Sequence, residues 1–95
     1  MTTFSSLHSI NNELFRFCFS EIMRMDSPKY YVAVKQDNQL VTAFEMKKDT
    51  YYNQWVICQP APEWIVTEGA VLSQMIEEAI SKKARQKSKS EEQHS

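Results

Sequence analysis

Between Lys29 and Gln59 the chain has few ways to fold. Three runs, Lys29 to Gln36, Leu40 to Lys47 and Tyr51 to Cys58, alternate apolar and polar residues and are rich in Val, Tyr, Phe, Trp and Thr. Period-two alternation in such residues is the pattern of half-buried β-strands. The breaks, Asp37-Asn38 and Lys48-Asp49-Thr50, are short, so antiparallel hairpins are the natural connection. Val32, Val34, Leu40, Thr42, Phe44, Met46, Trp55 and Ile57 are assigned to one face. A two-residue loop at Asp49-Thr50 sets Phe44 opposite Trp55. At the other hairpin a two-residue Asp37-Asn38 loop pairs Val34 with Val41 and mixes the faces, because a slip of one residue turns every side chain over. An odd-length loop is therefore expected there, with Asn38 or Gln39 left-handed and a bulge. It places Val32 opposite Phe44.

The segments on either side read as amphipathic helices. Leu7, Ile10, Leu14, Phe17, Cys18, Ile22 and Met25 recur at three- and four-residue steps, which predicts a helix from Ser5 or Ser9 to Asp26-Ser27-Pro28. Phe15, Phe19 and Met23 form a second apolar line on the same helix, rotated off the first. Two prolines, Pro60 and Pro62, end the third strand. Thr67 then opens a second helix whose apolar face is Val71, Leu72, Met75, Ile76, Ala79 and Ile80. Each helix needs a surface to bury its stripe. The expected fold is therefore a two-layer α+β domain of αβββα order, with a three-stranded antiparallel sheet and both helices on one face. It spans residues 1–85, and residues 86–95, made only of Lys, Ser, Glu, Gln and His, are expected to form a disordered basic and polar tail.

Composition excludes more than it suggests. Gly69 is the only glycine of the 95 residues, so a phosphate loop, a dinucleotide-binding turn and a nucleophile elbow are all ruled out. Net charge is −1. It is uneven: before Lys82 six Lys and Arg face ten Asp and Glu, and from Lys82 onward five face two. No apolar run approaches the length of a membrane span, and no secretory leader is visible at the N-terminus. Two widely spaced cysteines, Cys18 and Cys58, fit free buried thiols in a reducing compartment, so a cytoplasmic, non-membrane protein is expected.

No constellation carries catalysis. His8 and His94 are the only histidines, no Cys/His set has ligand spacing, and no catalytic residue, cofactor or metal site is assigned. What remains is surface. The outward sheet face, around Ala33, Val41, Ala43 and Val56, has no element left to cover it, and the Phe15, Phe19 and Met23 line is a second apolar surface. Scattered small hydrophobes are ordinary on a protein surface. Set against that, both are assigned as partner-binding residues. The expected function is a non-enzymatic protein–protein interaction module that self-associates or takes a protein partner. The alternative is a nucleic-acid-associated accessory protein using Tyr31, Tyr52 and the basic tail. A small-ligand or enzymatic domain comes third.

Overall fold

The dipeptide Asn11-Asn12 sets the architecture of the N-terminal third. In the computed structural model, which describes residues 3–22, 28–58 and 60–93 with side chains to Lys82, both asparagines have positive φ, 52° and 67°. A type I′ turn needs that conformation at both central positions, and Asn adopts it more readily than most residues. The chain therefore reverses there. Thr3–Ile10 forms β1 and Glu13–Ile22 forms β2, paired antiparallel with Ile10 opposite Glu13. Three further strands follow, β3 (Lys29–Gln36), β4 (Gln39–Asp49) and β5 (Gln54–Ile57). The sheet is a meander in the order β1-β2-β3-β4-β5, antiparallel throughout, and it curls into a half-barrel. Helices α1 (Glu63–Val66) and α2 (Gly69–Gln93) come after it.

The αβββα arrangement, with a three-stranded sheet and both helices on one face, is thus replaced by five strands and two C-terminal helices. The expected N-terminal helix is two strands. The misleading signal was spacing by four, since such residues share a face in a helix and in a strand alike. Phe15 and Phe19 satisfy both patterns. The run Phe15-Arg16-Phe17-Cys18-Phe19, however, alternates strictly, and its three phenylalanines are buried while Arg16 is exposed. The stripe assigned to the helix divides between two faces: Ile10 and Phe17 point into the core, while Leu7 and Leu14 are exposed.

The concave side of the half-barrel is the core. Phe17, Phe19, Val32, Val34 and Met46 are fully buried across three adjacent strands, with Tyr30, Phe44 and Trp55 nearly so. Phe4 of β1 stacks on Phe19 with centroids 4.5 Å apart, and Tyr30 meets Trp55 edge-on at 5.2 Å. The C-terminal helices cover this surface. Ile65, Leu72 and Ile76 lose all exposure, and Trp64 lies over Phe15 at 5.1 Å.

Both hairpin registers differ in detail from expectation. Asp37 and Asn38 both have positive φ, so the loop has two residues after all. The bulge is present too: Val34 pairs with Thr42 and Lys35 with Leu40, leaving Val41 as the extra residue. That slip restores Val32 opposite Phe44 and turns Leu40, expected inside, out to 61% exposure. Between β4 and β5 the loop is longer than two residues. Asp49 Oδ1 accepts from the N–H of Tyr51 and Tyr52 at 2.9 and 3.4 Å, and Asn53 takes a positive φ of 55°. Trp55 therefore sits opposite Lys48, not Phe44. The tail expected at residues 86–95 lies outside the residues whose side chains are described.

A single substitution separates hairpin from helix. Glycine inside a helix costs about 0.5–1 kcal/mol. At a positive-φ turn position it relieves strain, so Asn12→Gly should raise stability by up to about 1 kcal/mol, and Asn12→Val should lower it by about 1–2 kcal/mol. Denaturant midpoints of the two variants check both signs.

Candidate functional site

An open sheet has two edges, and each exposes a row of unpaired backbone groups unless something blunts it. Here the two differ. The β5 edge is four residues long. Its Trp55 N–H donates to Ser73 Oγ of α2 at 3.0 Å in a buried setting. Lys48, beside Trp55, pairs with Glu77 of the same helix and holds its Nζ 5.7 Å from the indole centroid. The indole Nε1 itself is buried without a partner among the described residues.

The β1 edge carries none of these devices. Its sequence, Thr-Phe-Ser-Ser-Leu-His-Ser-Ile, runs eight residues without Pro, Lys, Arg or a register shift. In a two-residue turn the Ile10 carbonyl accepts from the Glu13 N–H. Hydrogen-bonded and non-bonded pairs then alternate along the ladder. It follows that Thr3, Ser5, Leu7 and Ser9 aim their backbone N–H and C=O groups away from β2. Among the described residues no element pairs with them. Helix α2 stands off from this edge, leaving a recess of about 180 Å³ between Phe4, Ser5 and Ser6 on one side and Met75, Glu78, Ala79 and Lys82 on the other.

The convex face is the second open surface. Cross-strand register lays its side chains out in rows. Ser5, Cys18, Ala33 and Ala43 form a central row of small residues. Leu7, Arg16, Lys35 and Leu40 form the next row, and Tyr31 lies between Ser20 and Glu45 on the other side. Beyond it, Lys29 lies between Ile22 and Lys47, and Lys47 faces Val56. Leu7, Leu14, Tyr31 and Leu40 are all exposed. Four cations, Arg16, Lys29, Lys35 and Lys47, share this face with the carboxylates of Glu45 and Asp49, Asp49 is engaged by the loop after it, and Asp37 of the β3–β4 turn lines a recess with Arg16 and Lys35. The helical side carries Glu63, Glu68, Glu77 and Glu78, with Glu77 paired to Lys48 of β4 and Glu68 beside His8 of β1.

The residues assigned from sequence scatter over these surfaces. Ala33, Ala43 and Val56 are half-buried on the convex face. Val41 leaves that set: its bulge turns it toward Phe15 and Trp64 on the concave side, where they line a recess of about 340 Å³. Phe15 and Phe19 are buried in the core, so they form no free surface. Met23 lies outside the described residues. Tyr52 projects from the β4–β5 loop rather than from the sheet. The β1 edge and the four convex cations were not singled out from sequence. The alternation at Phe15-Arg16-Phe17 was the signal that could have found them, since it puts Arg16 on a strand.

Among the described residues, the one histidine and the two cysteines are not brought together. His8 Nε2 lies 3.3 Å from Glu68 Oε1, across from α2. It points to the concave side, whereas the half-buried Cys18 belongs to the convex row. Among the described residues no three His, Cys, Asp or Glu side chains gather as metal ligands, and no helix is long and apolar enough to cross a membrane. Comparison of the chain with protein-family models, curated proteins and solved structures finds no match.

Two measurements probe the helix-capped end of the sheet. Ser73→Ala leaves the buried Trp55 N–H without an acceptor and should cost about 1–3 kcal/mol in denaturant unfolding. Burial pushes the Tyr30 phenol above its ordinary value of 10.0, and the neighbouring Glu21 charge adds to the rise. The unfolded chain thus ionises first as the solution becomes alkaline. The Tyr30 contribution to stability is whole below pH 10.0 and is lost as the pH rises through the native value. Tyr30→Phe should flatten that alkaline decline, read as the denaturant midpoint against pH.

Proposed function

We propose that this chain is a non-enzymatic protein–protein interaction module that self-associates, and that two copies join through the open edge of β1. The observation that carries the reading is the asymmetry of the two sheet edges. One is short, and a helix hydroxyl takes its Trp55 N–H. The other offers eight residues of unblunted strand. Strand addition at such an edge uses main-chain hydrogen bonds for affinity. A two-fold pairing of β1 with β1 is isologous, the commonest symmetric solution, and joins two five-stranded sheets into one.

Charge favours the edge over the convex face. Two convex faces brought together would oppose Arg16, Lys29, Lys35 and Lys47 to their own copies, at a cost in like-charge repulsion and desolvation. The β1 strand holds no Lys, Arg, Asp or Glu, and its one histidine is turned inward toward Glu68. Nothing on the edge repels a second copy.

Light scattering of the purified chain tests the reading. The wild type should be dimeric at high concentration, with the amides of Ser5, Leu7 and Ser9 protected from hydrogen exchange. Ser5→Pro removes an outward donor at an edge position that tolerates proline, and Leu7→Lys adds an edge charge. Either variant should be monomeric with an unchanged circular dichroism spectrum. A wild type that stays monomeric at millimolar-order concentration, or variants that remain dimeric, would sink the proposal.

A further inference from the structure

The convex face contains an electrostatic conflict that the fold does not resolve. Arg16 lies directly opposite Lys35, and Lys29 directly opposite Lys47. Like charges placed directly across neighbouring strands destabilise a sheet. No ion pair among the described residues involves any of the four. Opposite-sign partners are not scarce in the molecule, but Glu63, Glu68, Glu77 and Glu78 lie on the helical side, where Glu68 pairs with His8 and Glu77 with Lys48, and near the four cations the described carboxylates are Asp37, Glu45 and Asp49. The two cation pairs sit six residues apart along β3, a span of about 20 Å at the usual strand rise. Between them, on the same face, Tyr31 is 42% exposed. The row joining Arg16 and Lys35 ends in two exposed leucines, Leu7 and Leu40.

We infer that the convex face of the sheet binds single-stranded nucleic acid. Its strand would run along β3, with phosphates at the Arg16–Lys35 and Lys29–Lys47 pairs and a base stacked on Tyr31. An anion is what relieves two opposed cation pairs, and a chain of anions is what relieves both at once. Separated cations around an exposed ring match a sugar–phosphate backbone that also presents flat bases, the combination that single-strand binders use. A duplex hides those faces, and an acidic protein surface has no base to stack. The phosphate and base contacts named here lie on β2, β3 and β4 and not on the β1 edge, so the inference stands or falls separately from self-association.

The test uses the full chain and fluorescein-labelled single-stranded RNA and DNA of roughly 12 nucleotides, within the range of known site sizes, followed by fluorescence anisotropy. Binding should weaken linearly on a log–log plot against salt. The double variant Arg16→Gln, Lys35→Gln should reduce the salt slope by about 2, one per phosphate contact, and should raise the denaturant midpoint, because a repulsive pair is gone. Loss of binding together with a gain in stability is an outcome that a merely structural role does not produce. Tyr31→Ala should lower affinity roughly five-fold or more, the effect of one stacked base, with the salt slope unchanged. Three results would overturn the inference. One is no binding at low salt. Another is a double variant that binds as the wild type does. The last is a Tyr31→Ala variant of undiminished affinity with poly-glutamate competing as well as the oligonucleotide, which would assign the face to acidic proteins.

Discussion

Backbone hydrogen bonding at the rims of an unclosed sheet is the constraint on which the rest of this structure depends. A closed barrel has no edges, but a five-stranded half-barrel has two and must deal with each. At β5 the solution is local. The strand is short, and α2 passes close enough for Ser73 to accept the Trp55 N–H. That one contact also anchors the helix over the core, so that Leu72 and Ile76 can bury completely against the strands. At β1 no such solution exists among the described residues, and the molecule keeps an unused set of donors and acceptors.

The curl of the sheet divides the chain chemically. Its concave side takes nearly every large buried residue, including three phenylalanines of β2, and is sealed by α1 and α2. The convex side keeps the small residues Cys18, Ala33 and Ala43 in its centre and cations toward both ends. Among the side chains described up to Lys82, the helical segment carries Glu63, Glu68, Glu77 and Glu78. In a chain of net charge −1, the convex cations are thus set apart from these carboxylates by the sheet. Patterned charge of this kind governs encounter and partner choice more than it governs the fold.

Part of this was legible in the residues. The alternation from Lys29 to Met46 assigned Val32, Val34, Phe44 and Met46 to one buried face, and Val32 does lie opposite Phe44. The N-terminal third was not legible. Phe15 and Phe19 stand four apart, a spacing that suits both kinds of element, and Asn11-Asn12 is a turn only if strands flank it. The Trp55 register failed for a related reason. Loop length is set by the Asp49 side chain capping the Tyr51 and Tyr52 amides, a local choice that alternation does not report. The candidate surfaces were legible to the same degree. Ala33, Ala43 and Val56 could be placed on the outer face, whereas the Arg16–Lys35 and Lys29–Lys47 oppositions exist only once register is known.

The sequence by itself determined the strand character of residues 29–47, a chain reversal near Asp37 though not its loop length, the helix that follows the two prolines, and the absence of any glycine-dependent nucleotide or nucleophile motif. Each of these rests on local backbone preference or on a side-chain period within a single element. Tertiary structure alone decided that residues 3–22 form a hairpin, that Val41 bulges inward, that one edge is capped and the other open, and that like charges meet across the outer face. These depend on which strand lies beside which, and pairing between segments leaves no period in either of them to be read.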